Sequence, residues 1–106
     1  LAQTLLSMQY AEQGQIAFTG YELQKAFHGV NSHEGTVALP IVANAQDMNA
    51  LCAVTEPLFA SDAFWGYLIA GHGLYTWGRD IDEARRHLDA FEFLLNAELT
   101  KQGMRA

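Results

Sequence analysis

The stretch from residue 80 to 101 limits the fold most, because it demands a partner surface. Asp80-Ile81-Asp82-Glu83 has the D-x-x-E pattern of a helix capping box. Behind it Ile81, Ala84, Leu88, Phe91, Leu95 and Leu99 recur at helical spacing and form one apolar stripe. Phe93, Leu94 and Ala97 widen that stripe, which predicts two packing neighbours rather than one. Just upstream, two apolar runs flank Gly71-His72-Gly73: residues 64–70, continuous enough for a strand buried on both faces, and a second run ending at Trp77. The reading is strand, sharp turn, strand, long helix.

The rest of the chain fits that scheme. Residues 1–11 carry Leu1, Leu5, Met8 and Ala11 at helical spacing with no capping residue before them, and resemble the back half of a helix. Glu12-Gln13-Gly14 breaks the pattern, and residues 15–19 make a short strand. Thr19 or Gly20 then caps a short helix over residues 21–27, and residues 28–35 form a polar loop. Residues 36–42 are a β-branched apolar run interrupted by Pro40, which predicts an edge strand or a bulge. Asn44 is a good N-cap with Asp47 at N3, ahead of Met48, Leu51, Cys52, Thr55 and Leu58 at helical spacing. Pro57 should bend or end that helix, and Ser61-Asp62 opens a turn. The predicted order is helix, strand, helix, strand, helix, strand, strand, helix: one mixed α/β domain, or part of one, over residues 1–106.

Composition excludes several classes of function. Hydrophobic residues make up 50% and charged residues 17%, enough for a core and too apolar for disorder. A net charge of −6 argues against nucleic-acid binding, and the basic cluster Arg79, Arg85, Arg86 is diluted by Asp80, Asp82 and Glu83. No apolar run of 18 residues predicts a membrane span. No secretory leader is read, although a start at Leu1 gives that little weight. A single cysteine, Cys52, excludes an internal disulfide, fits a reducing, cytoplasmic setting, and reads as an inert buried thiol.

Of the four histidines, no pair has local metal-motif spacing. His33 with Glu34 reads as surface loop, His87 as part of a solvated helix face, and His28 as a cation suiting a helix end. His72 is set apart by its glycines at the end of a buried strand, where a sheet presents functional side chains. A lone histidine in a glycine turn is nevertheless more often structural. Glu22 in the first turn of the short helix is the acid to single out, with helix-dipole stabilisation as its plainer reading. Neither a glycine-rich phosphate loop nor a Ser/His/Asp order is present.

Gly71-His72-Gly73-Leu74-Tyr75-Thr76-Trp77-Gly78-Arg79-Asp80, followed by Glu83-Ala84 and residues 88–95, closely resembles the carboxy-terminal part of the class II aldolase/adducin family. Glu22-Leu23-Gln24-Lys25-Ala26, His33-Glu34-Gly35-Thr36 and Pro40-Ile41 resemble its middle section. The resemblance implies a three-layer α/β/α domain with a mainly antiparallel central sheet, present here in part, and a homotetramer with active sites near subunit interfaces. It implies one zinc ion held by three histidines: His72, and two in a His-x-His motif expected upstream of this chain along with the phosphate loop. It also carries the acid/base role onto Glu22. The flanking text points to the subgroup that dehydrates a phosphorylated methylthio-ketose to a diketone in methionine salvage. Aldolases and epimerases of the family share the enediolate chemistry, and a non-catalytic module like the adducin head shares the fold. The fragment alone is expected to be inactive.

Overall fold

The computed structural model describes residues 2–30, 35–43, 48–61 and 64–105, without the side chains of residues 48–50, 59, 104 and 105. The element order is the expected one. Helix α1 (Ala2–Gln9) leads to β1 (Gln15–Thr19), a 3₁₀ helix (Glu22–Ala26) and β2 (Thr36–Val42). Helix α2 (Met48–Ala60), β3 (Gly66–Ile69), β4 (Gly73–Thr76) and α3 (Ile81–Arg105) complete the chain. The candidate caps Asn44 and Asp47, the pair His33 and Glu34, and Asp62 of the predicted turn lie outside the described residues.

The sheet runs β1-β2-β3-β4, with β1–β2 and β3–β4 antiparallel and β2–β3 parallel. It is therefore mixed, with antiparallel pairings in the majority. Strand side chains alternate between faces, so β3 feeds two cores. Leu68 joins Leu6, Phe18, Leu39, Phe91, Leu94 and Leu95 beneath α1 and α3, whereas Tyr67 and Ile69 join Val42 with Leu51 and Leu58 of α2. Three layers, helix–sheet–helix, follow. Phe91 anchors the larger core, its ring centroid 4.4 Å from Phe27 and 6.4 Å from Phe18.

Several expectations need correction. β2 is an inner strand, not an edge, despite Pro40. Ile41 N–H donates to Gly14 O at 2.8 Å on the β1 side, so the alternation of the backbone turns the Pro40 nitrogen toward β3. The β3 ladder begins only at Ile41↔Leu68, so the missing N–H removes no sheet bond. Pro57 lies inside α2 near its finish, and the helix runs on to Ala60 rather than ending at the proline. Cys52 is exposed, because the inward positions of α2 are Leu51, Thr55 and Leu58. The 3₁₀ helix is capped by Tyr21, whose N–H donates to Gln24 Oε1 at 2.9 Å, rather than by Thr19 or Gly20.

The start of α3 departs most from the apolar pattern. Ile81 is 78% exposed, while Glu83 and His87 are buried on the face that continues into Ala90, Phe91, Leu94 and Leu95. Gly78 explains the shift: a Cβ there would sit 2.7 Å from Ala84 N and 2.9 Å from the Glu83 side chain. Only glycine lets the segment after β4 lie this close to the first helical turn, and that contact fixes which face turns inward. Phe93 is also exposed, so its side of the stripe has no partner among the described residues.

Candidate functional site

His72 stands in the turn joining β3 to β4. Gly71 takes φ +70°, a conformation that favours glycine, and the His72 N–H closes the turn on Ile69 O at 2.9 Å. Helix α1 holds the turn from behind: Gly71 N–H donates to the buried Ser7 Oγ at 2.9 Å, and Leu74 N–H donates to Gln3 Oε1 at 3.2 Å. The imidazole itself is exposed, with Nδ1 3.3 Å from the Tyr75 hydroxyl. That contact orients the ring and leaves Nε2 toward solvent. A rigid backbone and a free ring nitrogen are what a metal ligand requires. Among the described residues no three His, Cys, Asp or Glu side chains converge on a common point.

Glu22 opens the 3₁₀ helix with its side chain 71% exposed and paired with Lys25 Nζ. The segment behind it is firmly seated. Gln24 is fully buried and donates to Gly35 O at 2.9 Å, and Tyr21 OH donates to Glu98 at 2.8 Å.

The sheet keeps these two residues apart. Thr19, just before Glu22, pairs with Thr36 at the start of β2, whereas Ala70, just before His72, bonds Val42 at its end. The seven residues of β2 therefore separate them by about 20 Å along the strands. Sequence reading placed His72 at the end of a strand and Glu22 in a helical turn soon after another, but could not see that the two strand ends are opposite.

The Glu22 end carries a feature the sequence reading missed. A cavity of about 660 Å³ opens there, lined by His28, Phe64, Trp65, Trp77, Arg79 and His87 among others. Glu83, 5% exposed, lies at its base. Its carboxylate accepts from Arg79 N–H at 3.1 Å and Arg79 Nε at 2.8 Å, with Arg86 at 3.7 Å and the His28 ring at 3.9 Å. The capping box is thus half formed: Asp80 Oδ1 accepts from Glu83 N–H at 2.7 Å, but Glu83 reaches back to Arg79 instead of Asp80. The hydrogen bond from Arg79 holds the Glu83 pKa down to about 2, against the opposing pull of burial. A carboxylate depressed in the folded state stabilises it above the unfolded pKa, and that contribution disappears as pH falls toward 2. We expect acid unfolding, followed by circular dichroism, to begin at higher stability in the parent than in Glu83→Gln. The two curves should converge near pH 2.

His87 is not on a solvated face but 1% exposed. Its Nδ1 lies 2.7 Å from Trp77 O, and its Nε2 accepts from His28 N–H at 3.1 Å. Burial pushes its pKa below the ordinary histidine value. The i, i+4 spacing of Glu83 and His87 in line with Phe91 is the one sequence signal for this cluster, and polarity hid it.

Known proteins similar to the chain point in one direction. The family model described as Class II Aldolase and Adducin N-terminal domain matches residues 2–99. The methylthioribulose-1-phosphate dehydratase of Stenotrophomonas maltophilia (strain R551-3) is 53% identical over 103 residues, covering 97% of this chain and 48% of that protein. A protein of the same name from Xanthomonas campestris pv. campestris (strain 8004) is 57% identical over 97 residues, covering 92% and 45%. The chain thus spans about half the length of the curated relatives it matches.

Proposed function

Because the chain belongs to the class II aldolase and adducin family, we propose that it is the carboxy-terminal part of a metal-dependent methylthioribulose-1-phosphate dehydratase. The relatives at 53% and 57% identity carry that name. The observation that carries the reading is the presentation of His72, an exposed imidazole on a turn pinned by Ser7, Gln3 and Ile69. A purely structural turn, such as a non-catalytic module would need, has no use for that arrangement. His72 would supply one nitrogen to a zinc ion, whose remaining ligands come from the upstream half of the protein. When bound there, zinc would supply Lewis-acid polarisation of the ketose C2 carbonyl, which would make the neighbouring C3–H more acidic.

The chain's own residues then account for the proton movements. The Glu22 carboxylate takes the proton from C3, and the carboxylic acid so formed delivers it to the C4 hydroxyl as the C4–O bond breaks. Water leaves, and the resulting enol relaxes to 2,3-diketo-5-methylthiopentyl 1-phosphate. No oxidant or reductant is needed. Glu22 and His72 stand at opposite ends of the sheet, which supports a reading in which the two would meet across an interface between copies, Glu22 of one subunit facing His72 of the next. A head-to-tail contact whose rotation closes makes a ring, and a homotetramer is the ring this reading takes.

Product analysis tests the proposal. The full-length protein, given 5-methylthioribulose 1-phosphate and zinc, should form the diketone. Release of a small aldehyde would identify a class II aldolase instead, an unchanged carbon skeleton with inverted configuration an epimerase, and no turnover a non-catalytic module.

A further inference from the structure

We infer that His87 is a positioning residue for the Glu22 acid/base, one neutral imidazole that fixes the Glu22 helix against the strand leading from His72. The inference rests on the proposed role of Glu22.

The geometry is unusually constraining. A backbone carbonyl can only accept, so Trp77 O at 2.7 Å requires hydrogen on Nδ1. A backbone amide can only donate, so His28 N at 3.1 Å requires a bare Nε2. Both ring nitrogens are therefore committed, and a single tautomer satisfies them. Trp77 follows β4, whose first residue adjoins His72, and His28 follows the 3₁₀ helix that begins at Glu22. Phe27 packs on the same ring at 5.6 Å between centroids. Trp65 Nε1–H donating to His28 O at 2.8 Å and Arg86 Nε–H donating to Ala26 O at 2.8 Å brace the end of this helix. Only His87 links it directly to the segment after β4 among the bonds described.

A neutral, fully used imidazole is also vulnerable to acid. A proton added at Nε2 would face the His28 N–H, donor against donor, and the bond would be lost. The charged groups around the ring are Glu83 and Arg86 on its own helix, His28 opposite, and Arg79 engaged with Glu83. Burial, the largest influence, opposes the added proton together with Arg86 and His28, whereas the Trp77 carbonyl and Glu83 favour it. Protonation is therefore confined to acid below the ordinary histidine range, where release of the 3₁₀ helix shifts Glu22.

The test uses the full-length, zinc-loaded enzyme with His87→Phe and His87→Gln. Phenylalanine keeps the packing and removes both bonds, and glutamine places a carbonyl oxygen near the position of Nε2. We expect kcat to fall roughly ten- to a hundredfold in the Phe variant, with KM and zinc content unchanged. The Gln variant should recover most of kcat, with the acid limb of its pH profile less steep and moved to lower pH. Hydrogen exchange in residues 22–28 should quicken in the Phe variant and not in the Gln variant, with α3 protected in both. Equal kcat in all three proteins, equal loss in both variants, or unchanged exchange in residues 22–28 would overturn the inference. Full turnover by Glu22→Gln would instead remove the acid/base reading, and the exchange result stands apart from it.

Discussion

Two inactive variants of this protein should restore each other. His72→Ala is expected to lose zinc, measured by atomic absorption, and with it the dehydration of 5-methylthioribulose 1-phosphate. Glu22→Gln is expected to keep zinc and the fold but lose the acid/base carboxylate, lowering kcat at least about a hundredfold. If Glu22 of one subunit works with His72 of the next, a copy with intact His72 beside a copy with intact Glu22 forms a whole site. Unfolding and co-refolding equal amounts of the two variants should then bring back about a quarter of the parent activity. That is the random frequency of the productive neighbour pair around a head-to-tail ring. The distance of about 20 Å set by β2 is what makes the experiment decisive. Mixed oligomers that stay inactive would place both residues in one subunit's site or remove one from the mechanism.

The largest effect on stability should come from Phe91→Ala. Phe91 is fully buried where α3 meets the sheet, in contact with the rings of Phe18 and Phe27 and against the close approach at Gly66. Removing a buried ring costs its transfer free energy and leaves a cavity, about 3–5 kcal/mol together. Urea unfolding should show the free energy of unfolding lowered by that amount, as a lower midpoint with an unchanged slope. A loss below about 1 kcal/mol would mean that the core closes over the gap, contrary to the ring packing seen here. The exposed Phe93, two residues away on the opposite flank, should tolerate alanine within about 0.5 kcal/mol in the isolated fold.

Local patterns were legible from the sequence because they depend on near neighbours. The strand–turn–strand around His72, the 3.6-residue stripe of α3 and the order of eight elements follow from spacing, glycine placement and apolar alternation, and the three layers were implied by the family resemblance. The burial of Glu83 and His87 was not legible. A pattern of apolar residues reports only what water rejects, and these two are held inside by specific partners on Arg79, Trp77 and His28. Pro40 misled for a related reason: whether a missing N–H matters depends on which neighbour the backbone turns toward, and that is a property of the sheet.

The sequence by itself determined that this chain is α/β and which family it belongs to, and it singled out His72 and Glu22. Only the tertiary structure decided how they relate. Strand direction is set by pairing between segments far apart in the chain, and the antiparallel pairing of β1 with β2 followed by the parallel pairing of β2 with β3 sends the two residues to opposite ends. A one-dimensional pattern has no access to that choice, so the sequence singled out the two residues and the fold set them at opposite ends of one sheet.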